Sequence, residues 1–223
     1  MLIALTITCA VATVVLIVAE YAKLKVLRVL AKLVASSAFV GIGFEAFQIG
    51  HDGARLHYGQ VIFMGLVFGA IGDIALLGKS SRAFLAGLGA FLIGHLAYVV
   101  AVSYLVPVGT WISGAGPLAA VPVGAGGVAL ALLWPKLGTM RVPVIGYVLA
   151  IVTMMIAAIA AWRTEALDEP QRTRLVLGAS LFFLSDLAVA RDKFVAQSWW
   201  NKLWGLPAYF AGQLLIAWSL VGL

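Results

Sequence analysis

The chain has 223 residues, of which 63% are hydrophobic and only 11% are charged, and its mean hydropathy is +1.07. Soluble domains are about 45–50% apolar and about 25% charged, so this composition excludes a water-soluble globular protein. The net charge of +6 does not indicate a nucleic-acid partner, because the 15 basic residues lie mostly at the ends of apolar stretches, as membrane topology requires.

Apolar stretches about as long as a membrane-spanning helix follow one another along the whole chain. In chain order, the predicted spans are residues 2–18, 29–47, 60–77, 83–106, 117–134, 142–162, 175–190 and 203–223. A bilayer crossing takes about 20 residues of helix, so the sequence predicts an all-α, polytopic integral membrane protein with eight transmembrane helices. All of them belong to one domain, residues 1–223. The glycines and prolines between Gly114 and Gly127 weaken the fifth span and favour a broken or tilted helix.

The basic residues distinguish the two sides of the membrane. The odd-numbered connections contain Lys23, Lys25, Arg28, Lys79, Arg82, Lys136, Arg141, Arg191, Lys193 and Lys202, whereas the even-numbered ones contain Arg55, Arg163, Arg172 and Arg174. The positive-inside rule then predicts odd connections in the cytoplasm and both termini outside it. The expected location is a bacterial inner membrane.

Two segments of the chain resemble each other weakly. Gly72-Asp73-Ile74-Ala75 resembles residues 185–188, SDLA, and AFLIGHL at 90–96 resembles AYFAGQL at 208–214. The offsets equal four helices, so a true duplication would give two parallel halves, residues 1–106 and 117–223, about an axis along the membrane normal. Chance similarity between apolar helices is the alternative.

Ionisable residues inside predicted spans are the strongest candidates for function, because each costs at least about 2.5–3.5 kcal/mol in hydrocarbon. Asp73 and Asp186 each lie four residues before the end of a span that runs towards the cytoplasm, and Lys32 lies three residues after the start of the second span. At 1.5 Å per residue, all three are expected roughly 5–7 Å inside the cytoplasmic boundary. Lysine can also snorkel to the interface, whereas the short aspartate side chains cannot.

Other polar side chains are expected at the same level or deeper: Tyr147, Tyr209, His95, Tyr98 and Gln213. Together with the three charged residues they predict a polar funnel that opens to the cytoplasm and is lined by spans two, three, four, six, seven and eight. His95 can alternatively be a hydrogen-bonding residue between helices. The three histidines, His51, His57 and His95, do not have the spacing of a metal cluster, so no metal site is predicted.

Three segments carry a resemblance to a known family: residues 66–98 with Gly72-Asp73 and HLAY, residues 178–194 with GASLFFLSDLAVARDKF, and residues 206–216 with LPAYFAGQLLI. They are similar to the YhhN-like lysoplasmalogenase family of integral membrane hydrolases. The resemblance implies hydrolysis of the vinyl ether bond of a lysophospholipid, a lysoplasmalogen, to a fatty aldehyde and glycerophosphoethanolamine or glycerophosphocholine. It implies no cofactor.

The implied reaction fits two carboxyl groups. Acid protonates the β-carbon of a vinyl ether, and water captures the resulting oxocarbenium ion, so a protonated carboxyl and an ionised carboxylate are needed. Asp73 and Asp186 would be catalytic, with either one as the acid. The expected substrate-binding residues are Lys32, His95, Tyr98, Tyr147, Tyr209 and Gln213, with Arg191 and Lys193 near the phosphate at the cytoplasmic mouth.

Two other functions fit the same residues. Intramembrane acids, a central histidine and a repeat are also typical of proton-coupled transporters. A non-catalytic lipid-binding membrane protein would contain the same polar cavity. Release of aldehyde from a lysoplasmalogen distinguishes the hydrolase from both.

Overall fold

The computed structural model describes residues 1–47 and 53–222. These residues form helices and short connections, which confirms the all-α prediction. The α-helices are α1 (Leu2–Tyr21), α2 (Lys25–Phe47), α3 (Gly53–Ala75), α4 (Ser81–Ser103), α5 (Trp111–Ala115), α6 (Ala120–Leu137), α7 (Arg141–Arg163), α8 (Glu169–Phe194) and α9 (Trp199–Trp218). Short 3₁₀ helices lie at Val108–Thr110, Gly116–Ala119 and Gly138–Met140.

Each predicted span overlaps a long helix, but the count of eight membrane crossings is not confirmed. By length and composition, six stretches of the described chain are able to cross a membrane. One of them, Val108–Arg163, has 56 residues and contains both α6 and α7, and Trp199–Trp218 is not among the six. The internal repeat is not confirmed either.

The loop predicted before the third span is shorter than expected. Helix α3 begins at Gly53, so Arg55 and His57 lie on the helix and not in a loop. The predicted loop residue His51 and the predicted last residue of the eighth span, Leu223, lie outside the described residues.

The break expected near the fifth span is present. The short helix α5 and a 3₁₀ turn precede α6, which begins only at Ala120. Gly116 has φ +57°, a conformation that side chains disfavour, and the following Pro117 lacks the backbone N–H of a regular helix. The helix therefore restarts after these two residues.

The outward face of α1 identifies the surface that meets lipid. Ile3, Ile7, Val11, Val14 and Val18 recur at helical spacing and are all more than half exposed. Apolar side chains exposed over a whole helix are unfavourable in water and favourable in a bilayer. This is an integral membrane protein.

Small residues let two helix pairs pack closely. A Cβ on Gly94 of α4 would lie 3.2 Å from the carbonyl oxygen of Gly65 on α3, so these two helices approach closely there. A Cβ on Gly178 of α8 would lie 2.8 Å from the carbonyl oxygen of Gly212 on α9. The pair α3 and α4 presents Asp73 and His95, and the pair α8 and α9 presents Asp186 and Tyr209.

Candidate active site

A cavity of about 1090 Å³ lies within the bundle. Its outer part is lined by residues of the α1–α2, α3–α4 and α8–α9 connections, and its inner part reaches Asp73, Asp186, Tyr147 and Tyr209. All six spans expected to line it, now α2, α3, α4, α7, α8 and α9, contribute residues, and α1 and α6 do so as well. The two aspartates thus share one cavity.

Asp73 is held on both carboxylate oxygens by residues of α2. Lys32 Nζ lies 3.0 Å from Asp73 Oδ1, and the Ser36 hydroxyl donates to Oδ2 over 2.6 Å. The Asp73 side chain is 3% exposed and that of Lys32 is 12% exposed. Lys32 therefore pairs with a buried acid instead of snorkelling, and a cation with a hydrogen-bond donor stabilises the ionised carboxylate.

Asp186 faces a different kind of partner. His95 is fully buried, and its Nδ1 lies 2.6 Å from the carbonyl oxygen of Phe91. A carbonyl only accepts, so Nδ1 carries the hydrogen, and Nε2 of a neutral ring is then an acceptor. Nε2 lies 3.5 Å from Asp186 Oδ2, and neither atom has a hydrogen-bond partner among the described residues. Two hydrogen-bond acceptors repel each other unless one of them carries a proton, so this contact is favourable only when His95 Nε2 or Asp186 Oδ2 is protonated.

A directed chain of hydrogen bonds lies behind Asp73. The Tyr98 hydroxyl donates to Gln213 Oε1 over 2.8 Å, and Gln213 Nε2 donates to the Tyr209 hydroxyl oxygen over 3.3 Å. The Tyr209 hydrogen is then free to point at an acceptor, and Asp73 lies within electrostatic reach of this hydroxyl. Gly69 makes room for the chain, because a Cβ there would collide with Gln213 Nε2.

Three aromatic rings connect the surroundings of the two aspartates. The ring centroids of Phe91, Phe182 and Tyr209 lie 5.3–6.0 Å apart in edge-to-face arrangements. The ring centroid of Phe182 also lies 4.5 Å from that of His95, and the ring centroid of Tyr147 lies 5.1 Å from that of His95. This apolar wall suits a substrate with a hydrocarbon chain beside its reacting atoms.

The YhhN family model matches residues 5–220 of this sequence. The chain belongs to the YhhN family. It is 33% identical over 168 residues to lysoplasmalogenase TMEM86A of Bos taurus and 31% identical over 167 residues to lysoplasmalogenase TMEM86A of Homo sapiens. Each match covers 72% of this YhhN-family chain and 65% of the relative, so the chain spans about two thirds of the length of these relatives. No solved structure matches it.

The cavity mouth of this YhhN-family chain is basic. Seven Lys or Arg residues line the cavity, against four Asp or Glu residues. Lys193 is one of them, and its Nζ lies 4.5 Å from the centre of the Phe84 ring. Arg191 is exposed and is not among the described residues that line the cavity, so the structure does not bring it to the expected position.

The other expected substrate-binding residues divide into two sets. Lys32, Tyr147 and Tyr209 line the cavity with the two aspartates, whereas three fully or almost fully buried residues support the lining from behind: His95, Tyr98 and Gln213. Sequence reasoning missed Ser36, although it lies four residues after Lys32 and hence on the same face of α2. The four-residue spacing between Lys32 and Ser36 was the sequence signal that could have identified Ser36.

Proposed function

We propose that this YhhN-family chain hydrolyses the vinyl ether bond of lysoplasmalogens, with Asp73 and Asp186 as its catalytic residues. The proposal depends mainly on one observation, that two carboxyl groups, one buried and one partly exposed, line the same cavity with chemically different partners. Two relatives are named lysoplasmalogenase, which supports this choice of reaction.

Asp186 is assigned as the general acid. Its Oδ2 lies 3.5 Å from His95 Nε2, and neither atom has a hydrogen-bond partner among the described residues, so a proton carried by Asp186 would give each atom the partner it lacks. The rings of Phe182 and Tyr147 pack on His95 and hold it in this orientation. His95 is therefore a positioning residue, and Asp186 touches the substrate.

Asp73 is assigned as the ionised carboxylate. The ion pair with Lys32 and the hydrogen bond from Ser36 stabilise its negative charge. A fixed negative charge in a low-dielectric cavity stabilises a cation that develops beside it. Asp73 is thus suited to face the oxocarbenium ion and to accept a proton from water.

The reaction then proceeds with both carboxyl groups restored at the end. Asp186 gives its proton to the β-carbon, and the electron pair of the double bond forms the new C–H bond. Water adds to the neighbouring oxocarbenium carbon and gives a proton to Asp73, which produces a hemiacetal. The hemiacetal hydroxyl returns a proton to Asp186, the C–O bond breaks, and Asp73 protonates the glycerol oxygen as the aldehyde leaves. No step requires a cofactor.

The same proposal orients the protein in its membrane. Three of the four basic connections line the mouth, so we propose from the positive-inside rule that the mouth faces the cytoplasmic side of a bacterial inner membrane. Eight crossings by α1–α4 and α6–α9 then leave both termini outside the cytoplasm. A lysophospholipid would enter with its hydrocarbon chain along the aromatic wall and its phosphate at the basic mouth.

An aldehyde-release assay with purified protein in detergent tests this function. The substrates are lysophospholipids of equal chain length that carry a vinyl ether, an alkyl ether or an ester at the same position. Only the vinyl ether has a carbon that can be protonated to an oxocarbenium ion, so only this substrate should be cleaved. Cleavage of the ester, or no cleavage of any of the three, would contradict the proposal.

A further inference from the structure

The cavity mouth contains hydrogen-bond donors that no described residue satisfies. Six buried side-chain N or O atoms in the described part of the chain lack a partner, and two of these form the contact between Asp186 and His95. Two others are donors of mouth residues, Nε of Arg28 and Nε1 of Trp199. Buried donors are normally paired, so these two are available to an acceptor on a bound ligand.

The Arg28 guanidinium is fixed so that one edge remains available. Its Nη1 lies 3.6 Å from Glu20 Oε1, and its Nη2 donates to the carbonyl oxygen of Leu77 over 3.3 Å. These two contacts use the terminal nitrogens and leave Nε without a partner among the described residues. The side chain is held in place by α1 and by the α3–α4 connection.

Trp199 approaches the same place from α9. It lies three residues before Lys202 on that helix, so both side chains lie on one face, and Lys202 Nζ contacts Glu20 Oε2 at 2.8 Å. Glu20 therefore connects Arg28 on one side with Lys202 on the other. Tyr21, next to Glu20, packs its ring 5.2 Å from that of Trp199.

We infer that Arg28 and Trp199, with Lys202, bind the phosphate of the lysophospholipid headgroup, an inference that rests on the proposed function. Phosphate oxygens accept hydrogen bonds and donate none, so they match the two donors that have no partner among the described residues. The lining also contains more basic than acidic residues, which favours an anion. This subsite differs from the phosphate position expected near Arg191 and Lys193.

The distance to the reactive groups suits the glycerol unit. Arg28 lies four residues before Lys32 on α2, which is about 6 Å along the helix and on the same face. Lys32 contacts Asp73, so Arg28 lies one helical turn from the residue that holds the proposed catalytic carboxylate. Three glycerol carbons separate the vinyl ether oxygen from the phosphate oxygen, which is a comparable length.

Binding of uncleavable lipids by the full chain in detergent tests this subsite without any turnover. The ligands are a 1-O-alkyl lysophosphatidylethanolamine and the 1-O-alkylglycerol of equal chain length. Trp199→Phe keeps the ring but removes Nε1–H, and its control Trp200→Phe changes an exposed neighbour outside the lining. We expect Trp199→Phe to lower the affinity for the phospholipid about tenfold, because one hydrogen bond to a charged group is lost. The affinity for the alkylglycerol should stay unchanged.

A second pair of variants tests the charge. Arg28→Gln should remove most of the preference for the phospholipid. Lys136→Gln changes an exposed basic residue in the last turn of α6, outside the lining, and should leave the preference intact. Arg28→Gln should reduce the preference for 1-O-alkyl lysophosphatidylcholine equally, because both headgroups contain the phosphate. Inorganic phosphate should compete only weakly, since it lacks the hydrocarbon chain.

Three results would overturn the subsite. These are an unchanged preference in both Trp199→Phe and Arg28→Gln, an equal loss for alkylglycerol, and competition by inorganic phosphate at the affinity of the lipid. Aldehyde release from vinyl ether substrates tests the proposed function separately. A protein that keeps the phosphate preference but releases no aldehyde would refute the hydrolase and retain the subsite.

Discussion

Lys32 and Asp73 form an ion pair between α2 and α3, with Nζ and Oδ1 3.0 Å apart and both side chains largely shielded from solvent. A buried charge without its partner is far less favourable than the pair, so the two residues depend on each other for stability as well as for function. The pair also fixes one of the two carboxyl groups as an anion at the inner end of the cavity.

Lys32→Met should therefore lower the free energy of unfolding by about 3–5 kcal/mol, because it leaves Asp73 buried and unpaired. The double variant Lys32→Met/Asp73→Asn should recover part of this loss. Denaturant unfolding in detergent micelles measures both. Lys202→Met is the control, since its partly exposed pair with Glu20 should contribute no more than about 1 kcal/mol. Equal losses for Lys32→Met and Lys202→Met would contradict the buried pair.

Ser36 should stabilise the same carboxylate from the other side. Ser36→Ala removes the 2.6 Å hydrogen bond to Asp73 Oδ2, and we expect a loss of about 1.5–3 kcal/mol in unfolding free energy together with slower aldehyde release. The neighbouring Ser37 is exposed, so Ser37→Ala should change neither quantity. If the two serine variants behave alike, Ser36 does not support Asp73.

His95 should affect the chemical step and not substrate binding. His95→Phe keeps a ring against Phe182 and Tyr147 but removes Nε2, the atom that faces Asp186. We expect kcat to fall by about 10²–10⁴, the usual contribution of a general acid, with KM changed only a few-fold. His57→Phe on α3 is the control and should keep the wild-type kcat. A rise in KM at unchanged kcat would instead make His95 a substrate-binding residue.

The relative height of residues on neighbouring helices was predictable from the sequence, because the fixed rise of a helix converts residue number into height. This is why Lys32 and Asp73 were expected at one level. Lateral contacts are a different matter, since they depend on how each helix is rotated against its neighbours. Arg191 lies near the expected end of α8 but faces outward, whereas Arg28 and Trp199, two ordinary interfacial residues by sequence, face the cavity.

Gly178 should be required for the close packing of α8 on α9. A Cβ there would lie 2.8 Å from the Gly212 carbonyl oxygen and also 2.8 Å from Ile216 Cγ1, so Gly178→Ala should reduce the unfolding free energy by about 1–3 kcal/mol. Gly89→Ala on α4 is the matched control, because no atom lies within 4 Å of its added Cβ. Thermal unfolding that ranks Gly89→Ala as the less stable variant would contradict this packing.

The most direct measurement is aldehyde release from a lysoplasmalogen by Asp73→Asn and Asp186→Asn, with Glu165→Gln, an exposed acid of the α7–α8 connection, as control. Each asparagine keeps the shape of the side chain but neither donates a proton as an acid nor carries charge, so each variant should lose at least about 10²-fold in kcat. Both variants should elute as folded protein and still bind the uncleavable alkyl ether, and the control should match the wild type. A wild-type rate in either asparagine variant would contradict catalysis by two carboxyl groups in one cavity.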